Sequence, residues 1–319
     1  MLSYNKNSLN ALANEQGFIR DNFEKVLRLI EILRYFHNSA LLSKSLVLKG
    51  GTAINLTIFE MPRLSVDIDL DYAINCSREE MLSGKEFVND EVLRYMTSEG
   101  YRLSPSTKNP HSLDSWVFFY TNAAGNNDSI KIEINYSNRC HVLPLVDASV
   151  SIPFLSDVTV RTLSPIELFA TKINALINRC AARDLYDVYG MIQSDLFACK
   201  EERDLLRKTL VLYLTVGSSV TVGECSTRYD TFPIIEGIAF KQIREQLLPV
   251  LRKKENFDFE SAKAEVIQYL LQLLALTDDE QAYITAFNEK HYKLELLFDD
   301  VDIVERISTH PMALWKMKL

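Results

Sequence analysis

Three aspartates alternate along Asp67-Ile68-Asp69-Leu70-Asp71. Successive strand residues point to opposite faces, so Asp67 and Asp69 project to the same side of an extended chain. Two neighbouring carboxylates raise each other's pKa unless a cation or donor lies between them. A hard, oxygen-binding ion such as Mg2+ is the natural resident. Taken alone, an Asp-x-Asp reads as a solvated strand edge. The weighting changes because Leu46–Leu48, a short apolar run, leads into Lys49-Gly50-Gly51-Thr52 just upstream. Gly51 in that position would let backbone N–H groups approach a phosphate at a helix start. A further carboxylate, Glu133, lies on the polar side of Ser129–Tyr136, where Ile130, Ile132 and Ile134 face the other way. By itself it reads as a cross-strand surface charge.

A second stretch with chemical content begins at Leu163-Ser164-Pro165-Ile166-Glu167. Ser164 suits an N-cap, Pro165 the first helical position, and Glu167 completes a capping box. The apolar face of this helix is Ile166, Leu168, Phe169, Ile173, Leu176 and Ile177, with Lys172 either beside it or pointing toward the cleft. Arg179 and then Arg183-Asp184-Leu185-Tyr186-Asp187 follow. The i,i+4 pair Arg183/Asp187 and the i,i+3 pair Asp184/Asp187 can share a helical face, an arrangement that is ordinarily a surface pairing worth a few tenths of a kcal/mol.

Gly-Gly-Thr followed by Arg63-Leu64-Ser65-Val66-Asp67-Ile68-Asp69-Leu70 resembles the minimal nucleotidyltransferase fold of the DNA polymerase β superfamily. Within it, the wording is similar to the AbiEii/AbiGii-type toxin nucleotidyltransferases. The second stretch, Leu-x-x-x-Lys from Leu168 to Lys172, then Arg179, then Arg-Asp-x-x-Asp, resembles that family's second signature. The resemblance covers the chain to about Gly190. It implies an α+β fold, a mixed sheet flanked by helices followed by a C-terminal α-helical domain. The expected division is residues 1–162 for the nucleotidyltransferase domain with its N-terminal helical segment, and 163–319 for a helical domain that opens with the second motif.

The same resemblance implies the toxin component of a bacterial toxin–antitoxin or abortive-infection system. Its chemistry would be transfer of an NMP from an NTP to an RNA acceptor, with tRNA the acceptor implied. Such a transfer needs an activated acceptor oxygen and a stabilised pyrophosphate, and two Mg2+ ions can serve both ends of an in-line displacement. Asp67 and Asp69 would hold the ions, with Glu133 as the third metal ligand. Lys49, Gly50, Gly51, Thr52 and Ser65 would bind nucleotide, the glycines and Thr52 meeting the β- and γ-phosphates through amides and one hydroxyl. Lys172 would supply a point charge for the triphosphate. Asp184, with Arg183 and Asp187, would either position Lys172 or contact the nucleotide. A cognate antitoxin is the further partner. Two other readings stand beside this one: transfer to a small-molecule or protein hydroxyl, and a catalytically silent nucleotide-binding regulator.

The elements that must position these residues follow from spacing. Phe18–His37 carries apolar residues at three- and four-residue intervals and predicts an amphipathic helix. Thr52–Phe59 predicts a short helix, stopped before Pro62. Ser77-Arg78-Glu79-Glu80 is a capping box that opens a helix to about Ser98. Trp116–Thr121 and Ser129–Tyr136 predict a hairpin around Gly125. Val142–Phe154 reads as irregular, and Val158–Arg161 as a last short strand. Helices are expected over Lys200–Leu214, Pro233–Leu251, Phe259–Leu276, Asp278–Lys290 and Tyr292–Leu297, with a loop marked by Gly217-Ser218-Ser219 and Gly223–Thr227.

Composition narrows the classes. The 319 residues carry a net charge of −8, which argues against a general nucleic-acid coat, because sequence-independent binding runs on basic residues neutralising phosphates. Lys241, Arg244, Arg252, Lys253 and Lys254 form a modest basic cluster, with Lys316 and Lys318 near the end. No run is long and apolar enough to predict a membrane span. The five cysteines show no Cys-x-x-Cys spacing and, with no leader-like start, predict reduced thiols in a cytoplasmic protein without a membrane partner. The scattered histidines predict no zinc site.

Overall fold

The computed structural model describes residues 4–107, 110, 112–150, 152, 157–217 and 232–318. The chain divides into two compact units. The first comprises Met1–Arg139, Leu145–Leu163 and Pro249–Glu255; the second comprises Cys140–Pro144, Ser164–Leu248 and Asn256–Leu319.

The first unit is built on one mixed sheet of seven strands. These are β1 (Leu46–Lys49), β2 (Asp67–Tyr72), β3 (Arg102–Leu103), β4 (Leu113–Thr121), β5 (Asn127–Asn135), β6 (Val146–Ser149) and β7 (Thr159–Thr162). Their order is β3-β4-β5-β2-β1-β7-β6. β2 runs parallel to β5 and β1 parallel to β7; the remaining neighbours are antiparallel. Period-two alternation sends Ile68, Leu70, Trp116, Phe118, Ile130, Ile132 and Ile134 into the core, all fully buried. The β4–β5 hairpin closes because the Asn122 side chain accepts from the amides of Ala124 and Asn126, with Gly125 at φ +85°.

Helices α1 (Lys6–Glu15), α2 (Arg20–Asn38), α3 (Leu42–Ser45), α4 (Gly50–Thr57) and α5 (Arg78–Ser98) complete this unit. The long α2 buries Phe23, Leu27, Ile30 and Leu33 and packs on β7. The capping box at Ser77 forms with both of its hydrogen bonds. Two strands depart from the expected pattern. β3 is two residues long, and β6 lies inside the stretch read as irregular. β6 ends the sheet with residues that are only half-buried or exposed, so no apolar alternation announces it.

The second unit is helical: α6 (Pro165–Arg179), α7 (Ala182–Gln193), α8 (Lys200–Val216), α9 (Pro233–Glu236), α10 (Phe240–Gln242), α11 (Phe259–Leu273), α12 (Asp278–Asn288), α13 (Val301–Ile307) and α14 (Pro311–Lys316). The C-terminal half of α8, Leu206 to Val216, is almost wholly buried and receives α6, α12 and α14. The helix expected over Pro233–Leu251 is broken into α9, α10, a π turn at Ile243–Leu247 and a 3-10 turn at Leu248–Val250. Pro249 accounts for the last of these breaks through its missing N–H. The Tyr292–Leu297 helix shrinks to a 3-10 turn at Leu294–Leu296. The loop expected around Gly223–Thr227 lies outside the described residues. Cys76, Cys140, Cys180 and Cys199, the four described cysteines, are thiols, and that of Cys140 donates to the Arg306 carbonyl.

Glu167 differs from its expected role. Ser164 Oγ does accept from the Glu167 amide, but the carboxylate does not return to cap the helix. It is fully buried and accepts from the amides of Val142 and Leu143 at 2.8 and 3.0 Å and from Tyr213 OH at 2.5 Å. A charged acceptor with three donors is well compensated, so this carboxylate tethers Cys140–Pro144 into the helical unit.

Candidate functional site

The chemistry-bearing residues fall into two constellations, one in each unit. In the first, the parallel register of β2 and β5 sets Asp67 beside Lys131 and Asp69 beside Glu133, while the antiparallel register of β1 sets Lys49 beside Asp69. Register partners share a face of the sheet, so Asp67, Asp69, Lys131, Glu133 and Lys49 lie together on the side opposite Ile68 and Ile132. Asp67, Asp69 and Glu133 are half-buried. Glu133 pairs with Lys131 at 2.8 Å. Burial lowers the Lys131 ammonium, but Glu133, Asp67 and Asp69 together raise it above its ordinary value. Lys49 is pinned by the buried carboxylate of Asp71. Among the described residues, no three His, Cys, Asp or Glu side chains are gathered closely enough to hold a metal ion. The three carboxylates share a face rather than a common centre.

The Gly-Gly-Thr turn opens α4, whose N-cap, Lys49, provides no side-chain cap to the first-turn amides. The left-handed backbone belongs to Gly50, at φ +69°, and not to Gly51. A Cβ at Gly50 would stand 2.9 Å from Asp69 Oδ2. At Gly51 a Cβ would stand 2.6 Å from an Arg63 guanidinium nitrogen and 3.2 Å from Ser65 Oγ. Arg63 is fully buried and donates to the Leu64 carbonyl. The room at Gly51 is therefore occupied by Arg63. Thr52 is likewise committed. Its hydroxyl is buried, donates to the Asp67 carbonyl at 2.5 Å, and lies 2.9 Å from Ser65 Oγ. With one proton to give, it ties the turn to the start of β2 instead of reaching a phosphate.

In the second constellation, α6 ends at Cys180, whose left-handed backbone (φ +49°) turns the chain directly into α7. That turn brings Lys172 between two aspartates, 3.1 Å from Asp184 Oδ1 and 3.0 Å from Asp187 Oδ2. Arg179 closes the set from outside with two hydrogen bonds to Asp184, at 2.8 and 3.0 Å. Lys172, Asp184 and Asp187 are all buried. Burial alone would raise the Asp184 carboxyl; the charges of Lys172 and Arg179 outweigh it and hold the group at about 2. Asp187 thus pairs with Lys172, not with Arg183, which stays half-exposed on α7.

Sequence reasoning missed Lys131 and Arg63. The alternation that places Glu133 on the polar face places Lys131 there too, so the first was available; the second depends on a contact that spacing does not encode.

The sequence profile described as "Nucleotidyl transferase AbiEii toxin, Type IV TA system" matches residues 32–290. No curated protein sequence matches. Among solved structures, the MenT4 nucleotidyltransferase toxin of Mycobacterium tuberculosis H37Rv aligns over 97% of this chain and 99% of its own, with a TM-score of 0.61 and 16% identity. At that identity the likeness carries the fold, and the profile carries the family. No helix among the described residues is long and apolar enough to cross a membrane. A mixed sheet with an aspartate pair beside a glycine turn, joined to a profile match over most of the chain, leads to one assignment: the chain belongs to the AbiEii nucleotidyl transferase toxin family of type IV toxin–antitoxin systems, and is a nucleotidyltransferase.

Proposed function

We propose that this toxin moves an NMP from an NTP to an RNA acceptor, with tRNA the first candidate, in a Mg2+-dependent reaction at the acid face of β2 and β5. The observation that carries the reading is the shared face of Asp67, Asp69 and Glu133. The donor set fits Mg2+: it is all carboxylate oxygen, and Mg2+ is ordinarily held by one or two carboxylates together with water and substrate phosphates instead of an all-protein cage. Gly50 leaves open the space beside Asp69 that a Cβ would fill. Asp67 and Asp69 would hold the ion or ions, which when bound supply charge neutralisation and activation of the acceptor oxygen.

The chain's own groups do the remaining work. The uncapped amides at Gly50–Thr52, at the positive end of α4, bind phosphate oxygens. Thr52 and Ser65 hold that turn against Asp67. Lys49, fixed by Asp71, presents a positioned charge at the turn. In the helical unit, Arg179 and Arg183 carry the exposed guanidinium surface for a phosphate, and the buried Lys172, Asp184 and Asp187 hold α6 and α7 in place to present it. A cytoplasmic setting and a cognate antitoxin complete the reading.

The test is incubation of the purified protein with each α-labelled NTP, Mg2+ and total RNA. Label should enter an RNA, and tRNA first. Asp67→Asn should reduce incorporation by orders of magnitude while the protein stays folded. Substantial transfer by folded Asp67→Asn would overturn the acid-face assignment. Label in protein or a small molecule alone would move the acceptor to another class.

A further inference from the structure

The acid face contains a basic side chain that the reaction as described leaves unused. Lys131 lies on β5 two residues before Glu133, beside Asp67 in the parallel register. Strand alternation sets its ammonium on the face that carries Asp67, Asp69 and Glu133. It stands 2.8 Å from Glu133 Oε2, with the two side chains 41% and 28% exposed. Across β5 its neighbours on β4 are uncharged: Val117 beside Lys131 and Ser115 beside Glu133. The lysine therefore has carboxylates on the β2 side and no charge on the other. An exposed ion pair of this kind is ordinarily worth little to folding, about 0–1 kcal/mol. Its position matters more, because a carboxylate engaged by an ammonium is not presented to a metal ion.

The geometry points to Lys131 as the built-in counter-cation of the acid face, a positioning residue that holds Glu133 away from a divalent ion until the ion displaces it. This inference rests on the metal reading of Asp67 and Asp69. An ion entering at those two aspartates competes with a charge already in residence, so the free protein binds divalent ions weakly. A nucleotide changes the balance, because its triphosphate gives the ammonium an alternative partner. Divalent binding and nucleotide binding are thereby linked through one side chain, and by reciprocity each ligand raises affinity for the other.

The experiment measures Mn2+ binding to the full-length protein, without nucleotide, by the EPR signal of the free ion. Neutral Lys131→Met should bind Mn2+ on the order of tenfold more tightly than wild type, the scale at which one opposing charge shifts a neighbouring carboxylate. Lys131→Gln should do the same, and Lys131→Arg should stay near wild type. In a Glu133→Gln background the gain should shrink to the direct repulsion between the Lys131 ammonium and an ion beside Asp67. Wild-type Mn2+ affinity in folded Lys131→Met and Lys131→Gln would overturn the inference, as would a gain undiminished by Glu133→Gln. If wild type binds Mn2+ through Asp67 and the lysine variants do not differ, the lysine assignment alone fails. If wild type and Asp67→Asn bind alike, or wild type binds no Mn2+, the metal reading fails and this inference with it.

Discussion

Two motifs that look alike in sequence, each an aspartate pair with a basic residue nearby, are opposite physical objects. On the sheet, Asp67 and Asp69 are like charges on one half-exposed face, with Glu133 added and Lys131 as partial relief. In the helical unit, the buried Lys172 sits between the buried Asp184 and Asp187, and the exposed Arg179 balances the remaining charge from outside. The first arrangement costs folding something and leaves carboxylates available to a ligand. The second is satisfied internally and leaves little for a ligand beyond its outer guanidinium. Removing a member therefore has different meanings in the two places. A variant that silences the protein is evidence about chemistry in the first and evidence about architecture in the second.

The sharpest test of that contrast is Lys172→Ala. It removes the ammonium shared by Asp184 and Asp187 while Arg179 stays on Asp184, and breaking a buried pair from one side costs about 3–5 kcal/mol. Urea denaturation should show that loss, and a wild-type midpoint would refute the structural role. Loss of toxicity in this variant is informative about chemistry only when its fold is shown to be intact.

The same cluster has a pH signature. Asp184 is held at about 2, below the ordinary carboxylate range, with burial opposing and Lys172 and Arg179 prevailing. A depressed pKa contributes stability above the unfolded value, near 4, that is lost as pH falls toward the folded value. Melting temperature should therefore fall between about pH 4 and 2, and Asp184→Asn should flatten that limb. An equally steep limb in the variant would assign the transition to other carboxylates.

A smaller effect is expected at Gly50→Ala. Left-handed backbone costs a non-glycine residue about 1–2 kcal/mol, and the new Cβ would press on Asp69 Oδ2. Both the melting temperature and Mn2+ affinity should fall; a change in neither would remove Gly50 from the acid face. The smallest effect is the most telling. Asp67→Asn and Asp69→Asn should leave apo stability within about 0.5 kcal/mol of wild type, or slightly above it through relieved repulsion. A destabilisation as large as that of Lys172→Ala would erase the contrast between the two regions.

What was legible in the sequence was whatever a few adjacent residues decide for themselves. Alternation placed Asp67 and Asp69 on one side of their strand and Glu133 on the polar side of its own, leaving their common face to the β2–β5 register; Ser77 and Ser164 announced helix starts, and Gly125 marked a hairpin. What was not legible depends on residues far along the chain. Glu167 has the spacing of a cap, yet its partners are Val142, Leu143 and Tyr213. Gly51 suits an anion-binding turn, yet its free space holds Arg63. The periodicity of α6 left Lys172 beside the apolar face or toward the cleft, and its burial is settled by aspartates on the next helix. β6 has no apolar alternation of its own and exists because β7 offers it a partner.

The return of Pro249–Glu255 to the first unit limits how this protein can be rearranged. Val250 accepts from the Leu64 amide at 2.8 Å, Leu251 bridges to Arg63, and Lys253 donates to the Gly17 carbonyl at 2.7 Å. Those bonds reach Arg63, Leu64 and Gly17 from a point about 70 residues beyond the end of α6, the first helix of the second unit. Truncation after Leu163 would strip the sheet of this strap, exposing the Arg63 backbone just where Gly51 makes room for its side chain. Recombination between toxins would meet the same obstacle, since no single crossover transfers one unit whole. An exchange of the first unit between relatives therefore has to carry Pro249–Glu255 along with the sheet.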